Sequence, residues 1–187
     1  MVEPVQALLI IDLQEGGVAG DSAVPDAERL VDRAGHLLDE ARASGALIVH
    51  VQNDGRPSTP DEPNTPGWEL HLPVAPGDRE VVIRKLNDDS FAGTPLTKLL
   101  ADHDVRSLAI CGLMSEMCVS ATARTALARG FRVVLPQDAH TTTGIPATAS
   151  GPAISPEIVA RVAEWALGDQ LELVEHAADV RFGGNAG

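Results

Sequence analysis

The stretch "ICGLMSEMCVSATARTALARGF", residues 110–131, decides the fold of this chain. Its apolar start ends in a glycine, and a helical pattern follows over residues 115–129. Gly130 comes next, and glycine commonly ends a helix. A second apolar segment, Phe131–Leu135, comes directly afterwards. Strand, helix and strand in this order predict a right-handed crossover between two parallel strands. The stretch also places a thiol, that of Cys118, on the opening turn of its helix.

The rest of the chain continues this alternation of short apolar segments with segments of helical spacing. The short segments predict strands at Gln6–Ile11, Ala46–Gln52, Glu80–Arg84, Ser107–Cys111, Phe131–Leu135 and Leu171–Val174. The pattern predicts an α/β fold: one Rossmann-like domain over residues 1–187, with three α/β/α layers and a mainly parallel six-stranded sheet. We expect the tail, 183–187, to be loose, and the long segments 53–78 and 139–154 to be loops that cover a site.

The composition limits the classes of partner. The 187 residues carry a net charge of −13, with 3% aromatic residues and no tyrosine, which argues against nucleic acid and against an anionic membrane surface. No apolar segment is long enough to cross a bilayer, and no signal peptide is visible. The two cysteines are too few for a disulfide framework. We therefore expect a cytoplasmic protein with free thiols that acts on a small molecule.

Three chemically active side chains follow predicted strands at their carboxyl ends. Asp12 comes directly after the first strand, Lys85 after the third, and Cys118 just beyond the fourth. Because ligands of parallel sheets bind beyond the carboxyl ends of the strands, we expect these side chains to meet at one edge. An acid, a cation and a thiol in that position predict a nucleophilic site.

Cys118 carries most of this prediction. A helix N-terminus and a nearby ammonium both stabilise a thiolate, so we expect the pKa of this thiol to be lowered. Unpaired N–H groups at the same helix end can bind the oxyanion that forms when a thiolate attacks a carbonyl. A buried structural cysteine is the alternative, and it is the interpretation that we prefer for Cys111 within its strand.

The other two side chains also have alternatives. Asp12 can accept the thiol proton and return it to a leaving amine, as a general acid–base, or it can cap the loop at the end of its strand. Lys85 can hold the acid and the thiol in register electrostatically, or it can be a solvent-facing lysine. The coincidence of all three residues at one sheet edge favours the catalytic interpretation.

Three longer stretches resemble the isochorismatase-like cysteine hydrolases. They are "ALLIIDLQEGGV" (7–18), "VVIRKLNDDSFAGTPLTKLL" (81–100) and "LAICGLMSEMCVSATARTALARGFRVVLPQDAH" (108–140). The resemblance maps the Asp–Lys–Cys triad of that family onto Asp12, Lys85 and Cys118. It implies that a thiolate attacks an amide carbonyl, that ammonia or an amine leaves, and that water then releases the acyl group.

The resemblance also implies the surroundings of the thiol. A cis peptide bond is implied between Leu113 and Met114, and the N–H groups of Met114 and Cys118 would form the oxyanion hole. Phe91 resembles the aromatic residue that lines the substrate pocket in the family. Ser115 keeps the hydroxyl that many members carry there as threonine, and we expect it in the substrate pocket as well.

Two features narrow the reaction. Family members that hydrolyse a vinyl ether lack the cysteine, so its presence favours hydrolysis of a C–N bond in a small amide or lactam. The Asp-x-His spacing with which nicotinamidases bind a metal is absent, since the second strand runs "HVQNDGRP", residues 50–57. Asp54 and His71 are scattered candidates for such a site, whereas His50 is expected to be a packed strand residue. We therefore expect no catalytic metal and no cofactor.

Residues 62–71, "EPNTPGWELH", together with "GLMSEMCV", are most similar to the branch of the family that contains streptothricin hydrolases. Trp68 in this loop is predicted either to face the substrate pocket or to hold the loop against the body of the protein. The alternatives to a general amide or lactam hydrolase are an enzyme that opens the streptolidine lactam, a nicotinamidase-type amidase and a non-catalytic binding protein. The resemblance also implies a homodimer or a higher homo-oligomer.

Overall fold

The computed structural model describes residues 3–75 and 77–183, so the predicted loose tail beyond Gly183 lies outside the described residues. Within these ranges the strands are β1 (Ala7–Ile11), β2 (Leu47–Asn53), β3 (Glu80–Lys85), β4 (Ser107–Leu113), β5 (Arg132–Pro136), β6 (His140–Thr141) and β7 (Glu172–Val174). The helices are α1 (Glu15–Val18), α2 (Ala27–Ser44), α3 (Leu96–Asp102), α4 (Ser120–Ala128) and α5 (Pro156–Ala166). A π-helical turn, Ser115–Val119, leads into α4.

The strands form one parallel sheet in the order β3-β2-β1-β4-β5-β7. The predicted α/β fold is confirmed, but the sheet contains one strand more than the six predicted. The additional strand, β6, pairs with β4 at Gly112 and Leu113. It lies within the segment 139–154 that was predicted as a loop, because two residues are too few to show a strand periodicity.

Both faces of the sheet are covered by helices, and β1 shows why. All five of its residues are buried, and successive side chains point to opposite faces. Leu8 and Ile10 pack in a cluster with α2, whereas Leu9 and Ile11 pack in a second cluster with α3 and α4. Two apolar clusters, one on each side of a fully buried strand, give the three predicted layers.

Helix α2 connects β1 to β2 and fixes their relative position. It buries one apolar stripe at helical spacing, made of Leu30, Ala34, Leu37, Leu38 and Ala41. Each buried leucine contributes about 1.5–3 kcal/mol to the free energy of unfolding. Gly45 ends the helix with a φ of 71°, a left-handed conformation that glycine adopts without a steric penalty. None of the helices in the described ranges combines the length and the apolar character needed to span a membrane.

Candidate active site

The carboxyl edge of the sheet brings Asp12, Lys85 and Cys118 together. Lys85 Nζ lies 2.7 Å from Asp12 Oδ2 and 3.2 Å from Cys118 Sγ. The same Nζ donates a hydrogen bond of 3.1 Å to Asn53 Oδ1, at the end of the neighbouring strand β2. The Lys85 side chain is fully buried, and an ammonium has three N–H groups. Each of these N–H groups therefore has an acceptor within the protein.

Asp12 lies directly after β1 in a backbone conformation that few residue types tolerate. Its φ is 52°, in the left-handed region in which Asp and Asn are enriched among non-glycine residues. The turn is held by a bond from its N–H to the Val51 carbonyl and by one from the Gln14 N–H to its own carbonyl, both 2.9 Å. Of its carboxylate oxygens, Oδ2 contacts Lys85, whereas Oδ1 is buried without a hydrogen-bond partner in the described structure.

The turn that carries Cys118 depends on a glycine. Gly112 has a φ of 122°, and a Cβ atom added to it would lie 2.0 Å from the Ile11 carbonyl oxygen, so only glycine lets β4 approach β1 this closely. The Leu113–Met114 peptide bond that follows is cis, as the resemblance implied. The N–H groups of Met117 and Val119 then donate to the Met114 carbonyl at 3.1 and 3.2 Å.

A cavity of about 350 Å³ opens in front of the thiol. Asp12, Met114 and Cys118 line it, together with side chains of two kinds. One part of the wall is apolar and includes Val24, Leu113 and Met117, and another part carries the carboxylates of Asp61 and Asp88. Asp88 Oδ1 lies 3.8 Å from Cys118 Sγ. A volume of this order suits a small molecule.

The pKa values of Asp12 and Cys118 are both raised in this site. Burial raises the pKa of Asp12 from its ordinary 3.8 to about 6, and the Lys85 ammonium only partly opposes this. Burial and the Asp12 carboxylate raise the pKa of the Cys118 thiol as well. The predicted lowering of the thiol pKa is therefore wrong for the resting site, because burial and a like charge outweigh the attraction of Lys85.

Lys85 keeps its charge in this environment. Burial lowers the pKa of its ammonium, but Asp12 and Cys118 outweigh that effect, and the pKa is raised overall. The resting site is thus a protonated thiol, a carboxylate and an ammonium in mutual contact. The carboxylate is positioned to accept the thiol proton when a substrate arrives.

The three side chains expected in the substrate pocket lie elsewhere. Of the described residues, those on the cavity wall include neither Phe91 nor Trp68 nor Ser115. The Phe91 ring is buried between the sheet and α3–α4, with its centroid 6.1 Å from that of Phe131. The Trp68 indole donates to Asp54 Oδ1 at 3.0 Å, so it holds its loop against the body of the protein. Ser115 is buried, and its hydroxyl contacts His140 Nδ1 at 2.8 Å.

Several residues of the site were missed by sequence reasoning. Asn53 ends β2 at the same sheet edge as the triad, so the rule that found Asp12 and Lys85 also applies to it. Gln14 is buried, and its amide connects Asn53 to the Trp68 carbonyl at 2.9–3.0 Å. Asp61 accepts a bond of 2.6 Å from the Asn53 amide. It lies in the long loop, where no periodicity indicates which side chains point inwards.

The candidate metal ligands are engaged with other side chains. Asp54 accepts bonds from the guanidinium of Arg84, and His71 Nδ1 lies 3.1 Å from Glu15 Oε1. His50 is fully buried in β2 and contacts a carboxylate through Nε2, which confirms the prediction of a packed strand residue. Among the residues that the structure describes, no group of three or more His, Cys, Asp and Glu side chains has an arrangement that could hold a metal ion.

The three-layer α/β fold, with a thiol, a carboxylate and an ammonium in contact at the carboxyl edge of its sheet, is typical of a cysteine hydrolase. The comparison with protein families agrees with this class, since residues 6–149 match the model of the isochorismatase domain. The chain belongs to the isochorismatase family of hydrolases.

Two curated relatives and one solved structure show how similar the chain is to known proteins. It is 60% identical over 185 residues to a streptothricin hydrolase of Streptomyces noursei, covering 97% of this chain and 72% of the relative. A second streptothricin hydrolase of Streptomyces noursei is 58% identical over 182 residues, covering 95% of this chain and 65% of the relative. The crystal structure of an isochorismatase from Pseudomonas putida KT2440 superposes with a TM-score of 0.85 at 28% identity, covering 96% and 94% of the two chains.

Proposed function

We propose that this chain is a cysteine hydrolase that cleaves a C–N bond of a small amide or lactam through a thioester, with Asp12, Lys85 and Cys118 as its catalytic residues. One observation carries the proposal: the Lys85 ammonium bridges the Asp12 carboxylate and the Cys118 thiol, at 2.7 and 3.2 Å, and both acceptors line one cavity. The streptothricin hydrolases at 60% and 58% identity support the same class of reaction.

The first half of the reaction forms the thioester. Asp12 accepts the thiol proton of Cys118 as the sulfur forms a bond to the carbonyl carbon of the substrate. The N–H groups of Met114 and Cys118, two residues of the cavity wall, bind the resulting oxyanion. Asp12 then returns the proton to the nitrogen as the C–N bond breaks. In a lactam the released amine stays attached to the acyl group, so the ring opens without losing a fragment.

The second half releases the product. Asp12 takes a proton from a water molecule, the water oxygen attacks the thioester carbon, and the sulfur leaves as a thiolate that regains the proton from Asp12. Lys85 remains an ammonium throughout, because its bonds to Asp12 and Cys118 favour the charged form. It stabilises whichever of its two partners carries the negative charge.

The cavity wall supports a substrate that carries a positive charge. Asp61 and Asp88 add two carboxylates to that of Asp12, whereas Lys85, the cation of the triad, has an acceptor for each of its N–H groups within the described structure. A cationic group on the substrate is attracted to such a wall, and an anionic one is repelled. We assign the lactam of streptothricin, which contains streptolidine, as the leading substrate because the two curated relatives carry the name streptothricin hydrolase.

A panel of amides tests the proposed function. It contains a streptolidine lactam, nicotinamide, a ureidoacrylate-like amide and a carbamoyl amino acid, and it is scored by ammonia or ring-opened product. We expect turnover of the lactam by the wild type and by Cys111→Ala, and none by Cys118→Ala. Mass spectrometry of a quenched reaction should find the acyl group on Cys118. Full activity of Cys118→Ala, or binding without turnover by the wild type, would contradict the proposal.

The resemblance also supports a homo-oligomer that works in the cytoplasm. Both cysteines are free thiols, as a reducing compartment requires. Helix α5 exposes an apolar stripe at helical spacing, with Ile158, Val162 and Trp165 exposed by 56, 58 and 83%. A stripe of this kind favours contact with a second copy of the chain. Light scattering should give at least a dimer for the wild type and a smaller species for Trp165→Lys.

A further inference from the structure

A chain of buried polar side chains in mutual contact begins at Ser115, directly after the cis bond, and none of its members is on the cavity wall. Ser115 Oγ is 2.8 Å from His140 Nδ1, and His140 Nε2 is 3.3 Å from Glu164 Oε1, a charge contact that lacks the alignment of a hydrogen bond. Gln137 Nε2 donates to the other oxygen of Glu164 at 2.7 Å. Ser115 and His140 are 2% exposed and Glu164 is 7% exposed. Burying polar groups to this extent costs folding free energy unless the groups are paired, so this arrangement is expected to have a function.

The direction of the hydrogen bond between Ser115 and His140 follows from the charge of Glu164. Burial raises the pKa of this carboxyl, but His140 and Gln137 outweigh burial and lower it, so Glu164 is ionised at neutral pH. A carboxylate 3.3 Å away repels the lone pair of an unprotonated ring nitrogen, which favours the imidazole proton on Nε2, facing Glu164. Nδ1 is then an acceptor, and the Ser115 hydroxyl donates to it. The Ser115 side chain is thus held by His140 of β6, and His140 in turn contacts Glu164 of α5.

Serine, histidine and a carboxylate in contact have the composition of a second nucleophilic triad, but their position rules out that role. Ser115 is buried and is not one of the residues on the cavity wall. A nucleophile has to reach the carbonyl carbon of a substrate. This hydroxyl instead contacts the buried imidazole of His140.

The chain of contacts acts on the backbone next to the thiol. Ser115 directly follows Met114, whose N–H belongs to the proposed oxyanion hole. The main chain of β6 pairs with β4 at Gly112 and Leu113, immediately before the cis bond, and the His140 side chain of the same strand holds Ser115 immediately after it. One two-residue strand therefore fixes the turn on both sides of Met114.

We propose that Ser115, His140 and Glu164 are positioning residues that hold the Met114 N–H in place for the oxyanion. This inference rests on the proposed cysteine hydrolase function. It requires no contact of the three residues with the substrate. Removing the Ser115 hydroxyl would leave the thiol, the carboxylate and the ammonium unchanged and would loosen only the donor at the oxyanion.

The test separates stabilisation of the oxyanion from reactivity of the thiol. We expect Ser115→Ala to lower kcat about 10- to 100-fold with little change in KM, somewhat less than the loss of an oxyanion-hole donor itself. Glu164→Gln should lower kcat less, and Ser115→Thr, which keeps the hydroxyl, should restore it. Alkylation of Cys118 by iodoacetamide should be equally fast in all four proteins, because displacement at a saturated carbon develops no oxyanion.

Thermal unfolding identifies variants that are merely less stable. The values of kcat and the rates of alkylation are compared well below the Tm of every variant. Unchanged kcat in Ser115→Ala would overturn the inference, and so would a parallel loss of turnover and alkylation, which would show general disruption of the site. Failure of Ser115→Thr to recover activity would also overturn it. A wild type that turns over none of the amides would instead contradict the proposed function, so the two failures are distinguishable.

Discussion

Two buried carboxylates at opposite ends of the sheet, Asp12 and Glu80, each contact a cation, but their pKa values are displaced in opposite directions. Glu80 begins β3, and its side chain accepts two bonds from Arg42, at 2.7 and 2.9 Å, and further contacts of 3.0 Å from His50 Nε2 and the Ala75 N–H. Burial raises its pKa, yet these donors lower it to about 2. Asp12 has one cation contact, and its pKa is raised to about 6.

The number of donors, rather than the presence of a cation, separates the two carboxylates. Every oxygen of Glu80 is bonded, so its charge is stabilised over the whole physiological pH range. Asp12 Oδ1 is buried without a hydrogen-bond partner in the described structure, so its charge is only marginally favoured. A carboxylate that is poorly satisfied can accept a proton during a reaction, whereas a fully bonded one can only hold the fold together.

Replacing Asp12 should have the largest effect. Asp12→Asn removes the base, and we expect kcat to fall about 10²- to 10⁴-fold. Alkylation of Cys118 by iodoacetamide should become faster at pH 7, because the carboxylate raises the pKa of the thiol and Lys85 remains to stabilise the thiolate. Stopped assays with the lactam and mass spectrometry of the alkylated chain measure the two rates. Slower alkylation in the variant would contradict the assigned charges.

A pH series should show that catalytic activity and the contribution of Asp12 to the free energy of unfolding change in opposite directions. The value of kcat/KM should fall about tenfold per pH unit below pH 6, as Asp12 becomes protonated. Because its pKa is raised on folding, Asp12 contributes stability that is fully present below 3.8 and is lost as the pH rises through about 6. The change from 3.8 to about 6 corresponds to about 3 kcal/mol.

Urea unfolding at pH 7 and pH 4.5 measures this contribution. Asp12→Asn has no group to titrate, so the part of the stability change that is due to Asp12 should be absent from the variant. Glu80 acts with the opposite sign, since its lowered pKa contributes stability that is present above 4.5 and is lost as the pH falls towards 2. The same pH dependence in wild type and Asp12→Asn would show that the pKa of Asp12 is not raised.

Glu80→Gln should affect stability without affecting catalysis. The substitution leaves Arg42 and His50 without their charged partner, and we expect a loss of about 2 kcal/mol in the free energy of unfolding, less than for a fully buried pair because Arg42 is 31% exposed. Urea unfolding at pH 7 measures the loss, with kcat as the control. A fall in kcat comparable to that of Asp12→Asn would contradict the separation between the two carboxylates.

The smallest effect is expected at the third partner of the ammonium. Asn53→Ala removes the acceptor 3.1 Å from Lys85 Nζ, and we expect kcat to fall about tenfold because the ammonium is less firmly placed between acid and thiol. Asn87→Ala, an exposed asparagine after β3, is the matched control and should be neutral. Equal activity of the two variants would show that the Asn53 contact is dispensable.

The positions of the triad could be predicted from the sequence, because the carboxyl end of a strand is determined by the topology. Asp12 follows β1 directly, Lys85 is the last residue of β3, and Gly112 marks the turn that leads to Cys118. The pKa of the thiol could not be predicted, since it depends on how deeply the sulfur is buried and on which charges surround it.

The residues that line the cavity were harder to predict from the sequence for a similar reason. Phe91 follows the third strand closely in the sequence, but its ring is buried in the core beneath α3 and α4. Asp61 lines the cavity from the middle of a long loop whose course no pattern of residues determines. The orientation of single side chains on turns and loops depends on packing across distant segments, which the order of strands and helices does not specify.

The fully bonded Lys85 also determines which inhibitors suit this enzyme. An acidic inhibitor designed to pair with a lysine would find no free N–H on this ammonium, and it would meet the carboxylates of Asp61 and Asp88 on the cavity wall. A neutral warhead that reacts with sulfur, such as a nitrile joined to a basic amine, matches the arrangement better. Selectivity for this enzyme should therefore come from the charge of the appended group, and reactivity from the electrophilic carbon.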